Sequence, residues 1–467
     1  MNTNQYLVHA PIGKLMLKFS IPCILSLLVS SLYNIVDQIF IGWGIGYLGN
    51  GATNVVFPIT VITLALALMI GDSCAAYMSL CQGQQDSEGA DQSVGNAVSL
   101  TVLLGVLLVL LFWVAEDPIL HLFGATENNL AYAQEYFIYI VIGIPFFMFA
   151  NTINSMIRAD GSPKFALIST LVGCLLNVIL DPIAIFVLGW GMKGAALATI
   201  TGQIVTALLA IWYLTHAKTF RLKKEGFRLR ARLLRRFLPL GVSSLLTQLS
   251  IVVIMVVMNH CMISYGAASK YGSDIPLTVV GIVMKVFQIV VAISVGIAAG
   301  AQPIIGYNYG AESFERVKKL YVIMMRAECL VGFIALFCFE FFPLQITHLF
   351  GSENALYNEF AVLTFRIFLC TIPLCCVQKA TSIFLQALGK PVLSMTLSLL
   401  RDFILSVPLT VLLCKGLGVT GALYSAPIAD IITFVVLIAI MVPVYRTLNK
   451  PSLDRQNTAD RISVVNQ

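Results

Sequence analysis

The chain has 467 residues, of which 58% are hydrophobic and only 11% are charged, whereas soluble domains carry about 45–50% and about 25%. This composition excludes a water-soluble protein, because so much apolar surface cannot be buried in one soluble core. The net charge of +6 is small for this length and comes from basic loops, so it does not indicate a nucleic-acid partner.

Apolar runs of about 20 residues, long enough to cross roughly 30 Å of hydrocarbon as a helix, recur along the chain. They lack the two-residue alternation of barrel strands, so the sequence predicts an all-α, polytopic membrane protein. Four of these runs contain no Asp, Glu, Lys or Arg, at 95–115, 136–157, 194–217 and 237–259. We predict twelve spans, at 15–42, 54–80, 94–115, 131–157, 164–188, 194–216, 237–262, 276–303, 317–344, 360–386, 391–414 and 419–446.

The positive charges predict how these helices are oriented. With the N-terminus inside, 21 of the 29 Lys and Arg fall in inner segments, three in outer loops and five within spans. Cytoplasmic loops carry an excess of Lys and Arg, so we predict a multi-pass protein of the cell (inner) membrane with both termini in the cytoplasm. The inner loop 81–93 is an exception, because it is acidic.

A repeat with an offset of 227–228 residues divides the chain into halves. "HLFGATENN" at 121–129 recurs as "HLFGSENAL" at 348–356, and "GMKGAAL" at 191–197 answers to "GVTGALY" at 418–424. Six spans per half give both halves the same orientation, and folds with such parallel repeats bind at the interface between lobes. We predict an N-terminal lobe, a basic cytoplasmic linker, a C-terminal lobe and a cytoplasmic tail, at 1–217, 218–236, 237–450 and 451–467.

Five polar side chains from four spans of the first half are predicted to meet at one depth. At 1.5 Å per residue, Asp37 and Asp181 lie in the outer half of the outward-running first and fifth spans. Tyr136 and Thr199 lie near the starts of the inward-running fourth and sixth spans, and Asn177 shares the helical face of Asp181. This convergence favours a transporter over a structural scaffold that arose by duplication.

Ionisable side chains at membrane depth cost at least ~2.5–3.5 kcal/mol, so each calls for a functional or pairing explanation. Two carboxyl groups in one poorly hydrated pocket resist being charged together and titrate as a unit. Na⁺ can use the same carboxylate, amide and hydroxyl oxygens. The alternative is an inert polar cluster that holds helices together. Tyr33 and Asn34 share the face of Asp37.

Four segments carry a family resemblance: "SSLYNIVDQIFIG" at 30–42, "FANTINSMIRADGSPK" at 149–164, "LLNVILDPIAIFVLGWGMKGAALAT" at 175–199 and "AQPIIGYNYGA" at 301–311. The chain resembles the multidrug and toxic compound extrusion (MATE) family, especially its bacterial MepA-like branch. The resemblance implies two six-helix lobes around a V-shaped cavity and export of cationic or amphipathic compounds in exchange for H⁺ or Na⁺. Such multidrug efflux would confer antibiotic resistance.

The resemblance also implies site residues. The ion site of the first lobe would consist of Asp37, Asn177, Asp181 and Thr199, with Tyr136 beside it. The residues that the resemblance and the shared face assign to substrate are Tyr33, Asn34, Asn151 and Asn154. We expect no cofactor besides the coupling ion, and we expect a monomer in contact with membrane lipid.

Four charged residues lie near mid-depth in the second half: Lys285, Arg401, Asp402 and Asp430. We interpret them as a structural network in which two cations neutralise two anions, with a substrate-facing role for Lys285 or Asp402 as the alternative. Asp72, near the inner end of the second span, is predicted to be interfacial.

Other functions fit the sequence less well. Asp72 lacks the Gly-x-Gly-Asp pattern of an intramembrane aspartyl protease, and there is no HExxH, P-loop or G-x-S-x-G motif, so no enzyme is predicted. The eleven cysteines lie mostly in apolar runs and indicate packing residues. A lipid-linked sugar flippase of related two-lobe architecture is the remaining alternative, although its pyrophosphate substrate would require cations where this sequence places acids.

Overall fold

The computed structural model describes residues 7, 9–123, 125, 127, 129–272, 274–348 and 355–449, and its regular structure there is helical. The predicted tail 451–467 and part of the repeated loop motif fall outside these residues. The helices extend beyond the predicted spans at most ends, because a helix continues past the hydrocarbon until a turn or a capping residue stops it.

The first half contains six long helices. They are α1 (Ile12–Gly44), α2 (Tyr47–Gly83), α3 (Ser87–Val114), α4 (Leu130–Ala159), α5 (Pro163–Pro182) and α6 (Gly191–Thr215). A short helix, Glu116–Leu122, follows α3, and a π-helical turn, Ile183–Val187, extends α5. Pro163 suits the start of α5, because the first turn of a helix needs no donor from its N–H.

The second half repeats this arrangement. Its helices are α7 (Ala231–Gly266), α8 (Asp274–Gly310), α9 (Phe314–Phe341), α10 (Ala355–Phe368 and Ile372–Ala387), α11 (Pro391–Leu399, a π-helical segment Leu400–Ser406, and Val407–Leu417) and α12 (Ser425–Leu448). The two segments of α10 meet at 46°. The break precedes Pro373, which has no N–H to donate to the carbonyl of Leu369 and whose ring would clash with that carbonyl in a continuous helix. The fifth helix of each half thus carries a π-helical stretch.

The count of twelve spans depends on the last helical stretch. By length and composition, the described residues hold 10 helices able to cross a membrane, or 11 if the bent α10 is one span, and Pro391–Leu448 counts as a single helix of 58 residues. A straight helix of that length would measure about 87 Å. The chain instead reverses, because Arg401 binds Asp430, 29 residues later, at 2.9 Å. The stretch is therefore two spans, α11 and α12.

Apolar side chains form separate cores in the two lobes. One cluster of buried residues runs from Ile41 to Phe237 and another from Met258 to Leu423. A third cluster joins the start of α1 to α8, α9, α10 and α12 of the second lobe. Helix α1 therefore packs on the second lobe over its first part, up to Ile24, and on the first-lobe core near its end, at Ile41.

The basic linker is bound to the end of the first lobe. Asp91 accepts the backbone N–H of Arg221 at 2.8 Å and lies 3.5 Å from the Lys223 ammonium, while the Asn96 amide donates to the Gly226 carbonyl at 2.9 Å. An acidic side chain in the loop 81–93 thus faces the basic linker, which explains why acids occur among otherwise basic loops. We call this end of the molecule, which also carries the starts of α1 and α9 and the end of α12, the basic end.

Asp160, just beyond α4, fixes the start of the linker. Its carboxylate accepts the backbone N–H groups of Lys218 and Thr219 at 2.8 Å and the Tyr213 hydroxyl at 2.6 Å. Burial raises the pKa of Asp160, and these hydrogen bonds oppose the rise. The buried acid is satisfied by four donors including the Thr219 hydroxyl, so its role is structural.

The two lobes approach closely near the basic end. Ser20 of α1 donates to the carbonyl of Ile297 of α8 at 3.1 Å. A Cβ placed on Gly300 would lie 2.5 Å from the Cα of Ser20, and one on Gly241 of α7 would lie 1.9 Å from the carbonyl oxygen of Met69 of α2. Helix backbones come this close only where a small residue leaves room.

Candidate functional site

Two carboxyl groups meet inside the first lobe. Asp37 of α1 is 8% exposed and Asp181 of α5 is fully buried, and their carboxyl groups are within hydrogen-bonding reach of each other. Two carboxylates cannot form such a bond without a proton between them. Among the described residues, no Lys, Arg or His forms an ion pair with either acid.

The side-chain amide of Asn177 binds Asp181, the more buried of the two acids. Asn177, one helical turn before Asp181 on α5, donates to the Asp181 carboxylate at 3.3 Å and to the Thr199 hydroxyl of α6 at 3.2 Å. The spacing of four residues places both α5 side chains on one face. The structure thus brings together the five residues whose common depth the sequence predicts, since Tyr136 of α4 lies next to Thr199 and close to both acids.

Within the part of the chain that the structure describes, three oxygens at this cluster have no hydrogen-bond partner: Oδ1 of Asp37, Oδ1 of Asn177 and Oδ2 of Asp181. Unsatisfied buried oxygens are costly, so a cluster of them indicates a bound proton, ion or water. Carboxylate, amide and hydroxyl oxygens are hard metal ligands that suit Na⁺. A proton on one carboxyl group satisfies the pair equally well. The donor set therefore fits both of the coupling ions expected from the sequence.

The residues predicted to face substrate are placed differently from one another. Tyr33 of α1 is half-buried and lies close to Asp37 and Asp181. Asn34 is exposed, and its amide bonds to the Ser30 carbonyl one turn earlier at 2.7 Å. Asn151 bonds in the same way to the Phe147 carbonyl at 2.8 Å.

Asn154 takes part in a polar network near the basic end. Its amide donates to the Thr170 hydroxyl of α5 at 3.1 Å and to the Ala166 carbonyl at 3.3 Å, and its carbonyl accepts from Arg158 at 2.9 Å. With all three of these contacts made inside the protein, Asn154 has little capacity left for a substrate. Ser26 of α1 extends the network by a bond to Thr170 at 3.0 Å.

Asp72 joins this network to the second lobe. Its carboxylate accepts from Ser155 of α4 and from Ser244 of α7, both at 2.8 Å, and lies 3.6 Å from the Arg158 guanidinium. The sequence locates Asp72 near the inner end of its span but does not identify these partners. The position of Asp72 along α2 does not indicate which helix of the other lobe it contacts.

The charged residues of the second lobe form a compact cluster around Arg401. The guanidinium lies 2.7 Å from Asp402 and 2.9 Å from Asp430, and Thr371 donates to Asp430 at 2.8 Å. The π-helical segment Leu400–Ser406 allows the consecutive side chains 401 and 402 both to be buried. Lys285 is exposed on α8 and forms no ion pair with this cluster, so one cation, rather than the expected two, faces two anions.

Comparison with known proteins places this arrangement in one family. A family model named MatE matches residues 22–183 and 239–412, one segment in each lobe. A FAD transporter of Shewanella oneidensis is 25% identical over 442 residues, 92% of this chain and 95% of that protein. The multidrug export protein MepA of Staphylococcus aureus is 24% identical over 430 residues, 91% and 92% of the two chains.

Solved structures share the fold. A MATE protein in complex with MaL6 has a TM-score of 0.88 and 23% identity, covering 97% of this chain and all of that one. An outward-facing multidrug resistance MATE transporter of the MOP superfamily has a TM-score of 0.87 at 23% identity, covering 96% and 99%. These matches confirm the twelve-helix, two-lobe architecture, and the family match shows that the chain is a multidrug-efflux-type transporter and not an enzyme. The chain belongs to the MatE family of multidrug and toxic compound extrusion transporters.

Proposed function

We propose that the chain is a secondary active antiporter that exports cationic or amphipathic organic compounds across the cell membrane in exchange for H⁺ or Na⁺. One observation carries this proposal: the buried Asp37–Asp181 pair has unpartnered oxygens and no ion-pair partner among the described residues. A buried pair of acids without a cation needs a mobile positive charge to compensate it.

The transport cycle follows from where Asp37 lies. When H⁺ or Na⁺ occupies the acid pair, α1 is held against α5; when the ion leaves, repulsion between the carboxylates favours separation of the two helices. Helix α1 also carries Ser20, which packs against α8 of the second lobe. A movement of α1 at Asp37 therefore reaches the contact between lobes and can change which side of the membrane the cavity faces.

The negative charge of the site favours a cationic substrate. The site contains two carboxyl groups and no basic side chain among the described residues, so it attracts cations and repels anions such as a dinucleotide or a lipid-linked pyrophosphate. The related FAD transporter of Shewanella oneidensis makes a dinucleotide the second candidate substrate. Uptake of ethidium and of FAD into inverted proteoliposomes separates the two: we expect transport of ethidium, and transport of FAD alone would contradict the assignment.

Substitution of Asp37 tests the coupling site. Expressed in a drug-sensitive host, the protein should lower ethidium accumulation, and Asp37→Asn should abolish this effect while the protein remains folded in the membrane. Asp117→Asn is the matched control, because Asp117 is an exposed acid in the short helix Glu116–Leu122. Normal export by Asp37→Asn would show that the coupling site lies elsewhere.

The coupling ion and the orientation need separate measurements. Ethidium transport driven by an imposed proton gradient without Na⁺, or by a Na⁺ gradient without a pH gradient, identifies the ion. For orientation, Thr126→Cys and Lys224→Cys in intact cells should react with an impermeant maleimide only at position 126, if the linker is cytoplasmic. Labelling of both positions from the same side would contradict the proposed topology and lobe boundaries.

A further inference from the structure

Two adjoining cavities at the basic end of the second lobe have opposite character. The first, of about 570 Å³, lies between the starts of α1 and α9 and the end of α12; the second, of about 610 Å³, runs along α9, α10 and α12. Tyr445 and Asn449 line both cavities. Together they form one continuous groove, which we call the α9–α12 groove.

The end of the groove nearest the solvent is cationic. Lys318, Lys319 and Arg326 line the first cavity, and Arg446 lines the adjoining end of the second. Lys318 is engaged by Glu315 and Asn449. Lys319, Arg326 and Arg446 are exposed and form no ion pair with any residue that the structure describes.

The rest of the groove is apolar and opens onto the surface that faces lipid. Phe333 is 61% exposed and Ile438 is 49% exposed, while Pro373 and Leu374 of α10 form the floor between them. Exposed apolar side chains on a membrane helix contact acyl chains. The length of helix from Arg326 to Phe333, about 10 Å, therefore leads from the cationic end into the hydrocarbon.

Arg326 has no compensating acid among the residues that the structure describes. It lies twelve residues into α9, about 18 Å along the helix from its start, and an uncompensated guanidinium within a membrane span is costly. A phosphate compensates it well, because a guanidinium binds phosphate oxygens through two parallel hydrogen bonds. Basic pockets between membrane helices bind anionic head groups in this way.

We propose that the α9–α12 groove binds an anionic phospholipid, with its phosphate on Arg326, Lys319 and Arg446 and an acyl chain along Phe333 and Ile438. The site is separate from the acid pair of the first lobe and has the opposite charge. A cationic drug would be repelled by the three unpaired cations, and a zwitterionic lipid would bring its own cation to an end that already has a surplus.

The test is lipid retention by the purified full-length protein. In native mass spectrometry with mixed micelles, phosphatidylglycerol should bind more tightly than phosphatidylcholine. Each basic residue near an anionic head group contributes about 1 kcal/mol, so Arg326→Gln should weaken phosphatidylglycerol binding about fivefold and the Lys319→Gln, Arg326→Gln double variant about 25-fold. Lys415→Gln is the matched control, because Lys415 is an exposed cation near the end of α11 and does not line the groove. It should not change the binding of phosphatidylglycerol.

Glu315→Gln provides a result that misfolding cannot imitate. Removing this acid from the cationic end should strengthen binding of phosphatidylglycerol, while ethidium efflux stays unchanged. Equal retention of both lipids, or full retention by the double variant, would overturn the proposal. Competition by glycerol phosphate as strong as that of the intact lipid would also overturn the proposal, because the apolar part of the groove would then not contribute to binding. Displacement of the lipid by ethidium would overturn it as well.

Discussion

The two lobes each bury a cluster of acids beside their fifth helix, and the clusters differ in how their charge is compensated. In the first lobe, Asp37 and Asp181 face each other, and within the described part of the chain they have no cation beside them and three oxygens of the cluster lack partners. In the second lobe, Arg401 lies within 2.9 Å of both Asp402 and Asp430. The same architecture thus holds one cluster in which two acids share a buried arginine and one in which two acids have no cation among the described residues.

This difference indicates a division of labour between the lobes. The cluster around the buried Arg401 is fixed, because removal of the arginine leaves two buried carboxylates without a cation. In the antiport mechanism proposed above, the acid pair of the first lobe binds the coupling ion reversibly, as coupling to a gradient requires. We expect substitutions in the second cluster to affect stability and substitutions in the first to affect transport.

The largest effect is expected at Arg401. Arg401→Leu leaves Asp402 and Asp430 buried without a cation, which should cost about 3–5 kcal/mol and lower the thermal unfolding temperature of the protein in detergent by many degrees. Arg401→Lys retains the charge and should lose less. An unchanged unfolding temperature in Arg401→Leu would contradict the structural role of this cluster.

The next largest effect is expected at Asp181, and it should have the opposite character. Asp181→Asn removes a buried carboxylate that has no cation, so thermal stability should be retained or slightly increased. Ethidium export should fall to the level of the empty vector, because the coupling ion loses a ligand that is 0% exposed. Comparing unfolding temperatures and efflux in the same preparations checks both parts. Loss of stability with retained efflux would reverse the comparison between the lobes.

A smaller effect is expected at Asn177. Asn177→Ala removes two hydrogen bonds, to Asp181 and to Thr199, which should cost about 1–2 kcal/mol in positioning the acid. The concentration of coupling ion that gives half-maximal efflux should therefore shift about 5- to 30-fold. Asn177→Gln, which retains the amide on a longer side chain, is the matched control for polarity, and an identical ion dependence in Asn177→Ala and the unchanged protein would exclude Asn177 from the site.

The smallest effect is expected at Asp402. Arg401 still binds Asp430 in Asp402→Asn, and the cluster then has no net charge, so the free energy of unfolding should change by less than about 1 kcal/mol. Asp430→Asn should cost more, because Asp430 also accepts a hydrogen bond from Thr371. Thermal unfolding of the two variants side by side tests this order.

The sequence predicts depth within the membrane better than it predicts contacts. Counting residues along α1, α4, α5 and α6 brings Asp37, Tyr136, Asp181 and Thr199 to one level, and the structure places them together. The sequence does not reveal which way Lys285 points, because a residue near mid-depth on α8 can face lipid, cavity or protein.

Two other features depend on packing that no single helix encodes. Asp72 meets Ser244 only because α2 and α7 cross near the basic end. Arg401 and Asp402 are adjacent in sequence, where a regular helix would direct them about 100° apart; the π-helical segment brings both inside. Such local changes in helical pitch have no clear signature in composition or periodicity.

The glycine contacts between lobes have a practical consequence. A single methyl group on Gly300 would lie 2.5 Å from the backbone of α1. Gly300→Ala should therefore destabilise every conformation in which the lobes are in contact here. Conformations in which the lobes are apart should be unaffected. The substitution offers a way to enrich the conformation opened toward the basic end and to capture it for structure determination.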